Sequence, residues 1–193
     1  MKVEFINPFM VSTVNVLQTM ARVTATPGKP QRKERDTADG DVTGVISMVS
    51  EQVKGSLAIT FTSAAIFDIA RRILCEEVTE INSTVTDLVG EITNIVTGGA
   101  KKILSERGYD FDMATPAVTT GKNHRINHQF NGKKILIPFS IIAGEFYVEI
   151  CFEWVKWLAE YIIDKIDADP FLSEVRIVQR WFAITSDLRV EIP

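Results

Sequence analysis

The residue types best suited to chemistry are Asp87, Glu91, Asn94 and Gly98, all inside the stretch Thr84 to Arg107. At about 100° per residue, their offsets put all four within roughly 40° of Asp87 on a helix. A carboxylate and an amide one turn apart then point together at solvent or at a partner. These are groups for binding and positioning. Elsewhere no Gly-rich phosphate loop, nucleophile elbow or metalloprotease helix occurs, so the chain offers no covalent nucleophile. The plainest alternative is that Glu and Asn on an exposed helix only solubilise it.

For that stripe to face outward, the opposite side must be apolar. Leu88, Val89, Ile92, Ile95, Val96 and Ile103 are expected to form that core face. Ser83 or Thr84, with Asp87, suits a capping box, and Gly108 suits the helix end. Two mid-helix glycines, Gly98 and Gly99, together cost roughly 2 kcal/mol relative to alanine, a penalty for which the close approach of another backbone is one structural reason.

The remaining elements follow from periodicity. Phe9, Met10, Val14, Leu17 and Met20 suit a first helix with Asn7 as cap, Pro8 in its first turn and an end near Arg22. Thr26 to Asp41, with Pro27, Gly28, Pro30, Gly40 and the run Arg32-Lys33-Glu34-Arg35-Asp36, reads as a surface loop too polar to bury. Residues 42 to 50 and 54 to 61 read as a β-hairpin joined through Glu51 to Lys54. A second helix capped by Ser63 runs through Leu74. Strands are expected at Ala117 to Thr119, His128 to Phe139 and Glu145 to Phe152, with turns at Gly121, Gly132 and Gly144. Segregated helices and hairpin-linked strands imply the α+β class, an antiparallel sheet with long helices packed on it.

Asp87-x-x-x-Glu91-x-x-Asn94-x-x-x-Gly98 resembles the signature helix of the CheX and CheC family of chemotaxis phosphatases, with CheX the nearer likeness. The segment Pro116-Ala-Val-Thr-Thr-Gly-Lys-Asn-His124 is also similar to CheX sequences, as are Ile6-Asn7-Pro8-Phe9 and Thr13-Val14-Asn15-Val16-Leu17. The resemblance covers residues 1 to 152. It implies hydrolysis of the aspartyl phosphate on a CheY-like response regulator, with Glu91 and Asn94 catalytic and Asp87 and Gly98 in docking. Mg²⁺ would be supplied by the phosphorylated receiver partner, and this chain would carry no cofactor. A homodimer joined through sheet edges is implied as well. Ser12-x-x-Asn15-x-x-x-Thr19 lies where the family's internal repeat would put a first copy of the motif. With Ser12 at the Glu position and Thr19 at the Gly position, that copy is degenerate, which favours one active stripe. The runner-up reading is an adaptor that binds a receiver domain or a flagellar switch protein without catalysis.

Composition agrees. The chain has 193 residues, enough to bury roughly 70% of its unfolded surface in one core. A formal charge of −4 gives no broad basic surface for nucleic acid, and no apolar run reaches membrane-spanning length. Met1 to Phe5 lacks the pattern of a secretory signal, so a cytoplasmic location is expected. Cys75 and Cys151 are expected as buried thiols. His124 and His128 are expected on the surface, too far apart in a turn to share a metal. Lys122, Arg125, Lys133 and Lys134 make a local basic patch. Glu153 to Pro193 lies beyond the family pattern. Trp154, Val155, Leu158, Tyr161, Ile162 and Ile166 recur there at helical spacing, so this extension is expected as an extra C-terminal helical segment. Its apolar face would pack on the domain or a sister subunit, or, with Trp157, Trp181, Arg176 and Arg180, dock another protein.

Overall fold

The computed structural model describes residues 3–154. The expectations for the C-terminal extension from residue 155 onward fall outside them. Among the described residues no helix is long and apolar enough to cross a membrane.

The chain order is α1 (Val3–Ala21), β1 (Thr26–Pro27), β2 (Gln31–Lys33), β3 (Val42–Val49), β4 (Val53–Phe61), α2 (Ser63–Leu74), α3 (Ser83–Ser105), β5 (Asp112–Met113), β6 (Ala117–Thr120), β7 (Lys133–Ile141) and β8 (Gly144–Trp154). All strands belong to one antiparallel sheet whose central order is β7-β8-β4-β3. The short strands β1 and β2 edge it on the β7 side, and β5 and β6 on the β3 side. The expected α+β class is the observed one.

Strand alternation divides the sheet into two faces. Val42, Ile46 and Met48 of β3, Leu57, Ile59 and Phe61 of β4, and Phe146, Val148, Ile150 and Phe152 of β8 face the helices and form the main core with Phe5, Phe9 and Leu17 of α1. The other face is polar, with Thr43, Ser47, Ser56, Thr60 and Glu149 buried. Two loops cover it. One runs from β2 to β3 and the other from β6 to β7; Ala38 and Ile126 from these loops pack on Ala58.

Several local expectations need correction. The stretch Thr26 to Asp41 is not simply a loop, since it supplies β1 and β2, and Lys33 within its charge run is buried against Glu149 at 2.5 Å. A lysine can be buried when a carboxylate is buried with it. The first helix starts at Val3 rather than at Asn7, with Pro8 inside it. Phe5 and Ile6 are buried, and this packing outweighs the lost proline hydrogen bond. Helix α2 is capped by Thr62, which accepts from the Ala65 N–H at 3.4 Å; Ser63 instead donates to Asp41. Helix α3 is capped by Asn82, which accepts from the Val85 N–H at 3.1 Å. Strand β7 starts at Lys133 rather than His128, because the segment before it crosses the polar face. Strand β8 continues to Trp154, whose ring meets Phe5 and Tyr109, so Trp154 is a strand residue and not part of a helical face. Gly108 does follow the end of α3, with φ of 88° in the turn that stops it.

Candidate functional site

Helix α3 is fixed from two sides, and this sets the direction of its outer face. Against the sheet, Thr93 and Thr97 are fully buried, each donating its hydroxyl to the carbonyl one turn back at 2.7 Å. A Cβ on Gly44 of β3 would overlap the Thr93 hydroxyl, so the strand needs glycine for the helix to sit this low. Against α1, the Ser12 hydroxyl donates to the Val96 carbonyl at 2.7 Å, and a Cβ on Gly99 would leave only 3.2 Å to the Ser12 Cβ. Phe5 at the start of α1 stacks edge-on with Tyr109 beyond the end of α3 at 4.7 Å, so the two helices run antiparallel.

With those sides packed, Asp87, Glu91 and Asn94 are all exposed and Gly98 is half-buried. Among the described residues, none gives the side chains of Asp87, Glu91 or Asn94 a hydrogen bond or ion pair. The stripe is therefore one continuous outward face with unused polar capacity. The close approach expected of the two glycines divides between them. Gly99 meets Ser12, while a Cβ on Gly98 would meet nothing within 4 Å. One apolar residue departs from expectation: Ile95 is 36% exposed rather than buried. It lies about 80° from Asp87 round the helix, at the border between the stripe and α1. Ile103 is only half-buried, and the core side is completed by Val85, Thr93, Thr97, Ala100 and Leu104, two of them polar residues that hydropathy passed over.

The degenerate copy on α1 behaves as its composition suggests. Ser12 is buried in the helix contact, whereas Asn15 and Thr19 are exposed. A serine locked onto Val96 cannot reach a partner.

The other candidate groups are placed elsewhere. Neither histidine is freely exposed, against expectation: His124 is half-buried and the His128 side chain is 4% exposed. His124 bonds Thr43 Oγ1 through Nε2 at 2.6 Å, and His128 is buried with Nδ1 on Ser56 Oγ at 2.8 Å and Nε2 at 3.5 Å from Glu149 Oε2. Lys33, Asp39, His128 and Glu149 thus form a largely buried polar cluster under the two loops, on the face away from the stripe. Glu149 sits between apolar strand neighbours, the one signal in the sequence that could have pointed to it. Among the described residues no group of three or more His, Cys, Asp or Glu is placed to hold a metal ion. The local basic patch is not a free one, since Arg125 and Lys134 both pair with Asp36, whose carboxyl is held below its usual range chiefly by the Lys134 hydrogen bond. Cys75 is exposed at the left-handed end of α2, against expectation; Cys151 is buried, and burial pushes its thiol up.

The family model described as chemotaxis phosphatase CheX matches residues 42–140, which include all of α3. The chain belongs to the CheX family. A CheC-like superfamily protein from Shewanella sp. PV-4 is 56% identical over 79% of this chain and 99% of its own, with a TM-score of 0.75. The chemotaxis protein CheX from Vibrio vulnificus is 51% identical over 78% of this chain and 99% of its own, with a TM-score of 0.73. A CheX from Borrelia burgdorferi, solved in a complex with CheY, BeF3 and Mg²⁺, shares the fold with a TM-score of 0.67. It is 24% identical over 79% of this chain and 99% of its own. No curated protein sequence matches the chain.

Proposed function

We propose that this CheX-family chain hydrolyses the aspartyl phosphate of a CheY-like response regulator, with Glu91 and Asn94 acting inside the partner's phosphorylated site. The observation that carries the reading is the exposed Glu91 and Asn94 pair. It has no partner among the described residues, on a helix held rigidly from behind by Thr93 and Ser12. Such a pair is pre-organised for something outside the chain. The relative from Borrelia burgdorferi, which has CheY in its complex, supports a receiver domain as that partner.

Acyl-phosphate hydrolysis asks for a water in line with the phosphorus and for stabilised charge on the equatorial oxygens, with little covalent work. The Asn94 amide can accept from and donate to that water and so orient it. Glu91, one turn earlier, pairs with a lysine beside the phosphoaspartate and fixes the register of the helix on its partner. Asp87 and Gly98 extend the docking stripe, with the open space at Gly98 admitting the partner's backbone. Mg²⁺ belongs to the receiver. Self-association through the exposed sheet edge at β6 is part of the same proposal.

The roles separate kinetically. Asn94→Ala should lower kcat by about 10²–10³-fold with KM little changed, the scale for losing one positioning group. Glu91→Gln should raise KM for the phosphorylated receiver. A variant Asn94→Ala that keeps kcat and loses only affinity would contradict the assignment of the water to this residue.

A further inference from the structure

Four large apolar side chains stand exposed among the described residues: Val11, Val49, Ile95 and Ile142. Two of them, Val11 at 48% and Ile95 at 36%, lie on the pair of helices that frame the stripe. Their placement is tied together by the Ser12 hydroxyl, which bonds the Val96 carbonyl at 2.7 Å. Val11 precedes one partner of that contact and Ile95 precedes the other, and both turn to solvent. They therefore flank the same antiparallel seam. Asn15, also exposed, is one turn along α1 from Val11. Ile95 is the i+4 neighbour of Glu91, so the two side chains are adjacent on the helix surface.

We propose that the Val11–Ile95 seam of α1 and α3 is the specificity-determining part of the docking face, receiving an apolar patch of the receiver domain. This inference rests on the phosphatase reading of Asn94 and extends it from the reacting group to the surface that selects the partner. A body seated over Glu91 and Asn94 has to cover Ile95, and the burial of apolar surface there supplies affinity that the polar stripe alone lacks. The charge pattern favours a receiver over a second copy of this chain. Asp87 and Glu91 form no ion pair with described residues, so the face asks for a partner that brings cations beside its apolar patch. A second copy would bring its own Asp87 and Glu91 to the same contact. The seam also explains why two apolar residues remain uncovered on helices whose other sides are packed.

The test is the double variant Val11→Ser with Ile95→Ser, compared with wild type and with Asn94→Ala. Binding is measured by calorimetry with the cognate receiver loaded with beryllofluoride and Mg²⁺, and turnover with the phosphorylated receiver. The double variant should weaken binding and raise KM about tenfold or more while leaving kcat within about twofold. Val11 is 48% and Ile95 36% exposed, so the double variant should still fold, with a melting temperature lower by several degrees, and binding is compared well below that transition. Unchanged binding and KM would overturn the proposal. So would loss of self-association in sedimentation with receiver affinity intact, which would make the seam a contact between copies. The catalytic reading fails separately, through an Asn94→Ala variant with full kcat, and the binding comparison stands whatever that result.

Discussion

Gly98→Ala should stabilise the protein and Gly99→Ala should not, although the residues are adjacent. A Cβ on Gly98 meets nothing within 4 Å, so alanine there gains helix propensity without a clash. The gain is about 1 kcal/mol, which for a domain of this size raises the melting temperature by about 2–4 °C. A Cβ on Gly99 overlaps the Ser12 hydroxyl and lies 3.2 Å from its Cβ, in a helix contact that also carries the Ser12 bond to Val96. Overpacking of that kind costs roughly 1–3 kcal/mol, so Gly99→Ala should be neutral to about 2 kcal/mol destabilised after the same propensity gain. Urea unfolding monitored by circular dichroism reads both. Receiver dephosphorylation should then show the more stable Gly98→Ala protein with a raised KM, because the new methyl stands in the stripe. A destabilised Gly98→Ala would refute the packing of α3 described above. A stabilised one with wild-type kinetics would refute a docking role for Gly98.

Other consequences can be checked alongside. Gly44→Ala should lift α3 off the sheet at Thr93, costing roughly 1–3 kcal/mol in urea unfolding and lowering turnover. Thr93→Ala in the same chain should restore part of both. Lys33→Met leaves Glu149 buried with its 2.5 Å partner gone, and should cost about 3–5 kcal/mol; adding Glu149→Leu should recover most of it, and a single-variant loss below about 1 kcal/mol would contradict the buried pairing. Asp36 and Asp41 both have depressed carboxyl pKa values, Asp36 chiefly through Lys134 and Asp41 through the Ser63 hydroxyl. Their stabilisation is present at neutral pH and should be lost as pH falls below about 4, so acid unfolding of Asp41→Ala should be shallower than that of wild type.

The hairpin β3–β4, helix α2 and the signature helix were legible from their hydrophobic period, although the helix caps fall on Thr62 and Asn82 rather than on Ser63 and on Ser83 or Thr84. What escaped had a physical cause in each case. Lys33 reads as solvated until Glu149, 116 positions away, is seen to be buried with it. Pro8 reads as a helix start until Phe5 and Ile6 are seen in the core. The polar face of the sheet, with His128, Ser56 and Glu149 enclosed by two loops, has no period to find, since its coverage comes from long-range packing. Ile95 fits an apolar side by type and is exposed by angle. The stripe itself was readable because residues at i, i+4, i+7 and i+11 share one face in any helix.

The most direct measurement is the decay of phosphate on the cognate receiver with this chain present at about one hundredth of the receiver concentration. The account predicts multiple turnovers with the wild type and a return to the intrinsic decay with Asn94→Ala. Decay unchanged by the wild type, with binding to the phosphorylated receiver retained, would contradict catalysis and leave an adaptor on a phosphatase fold.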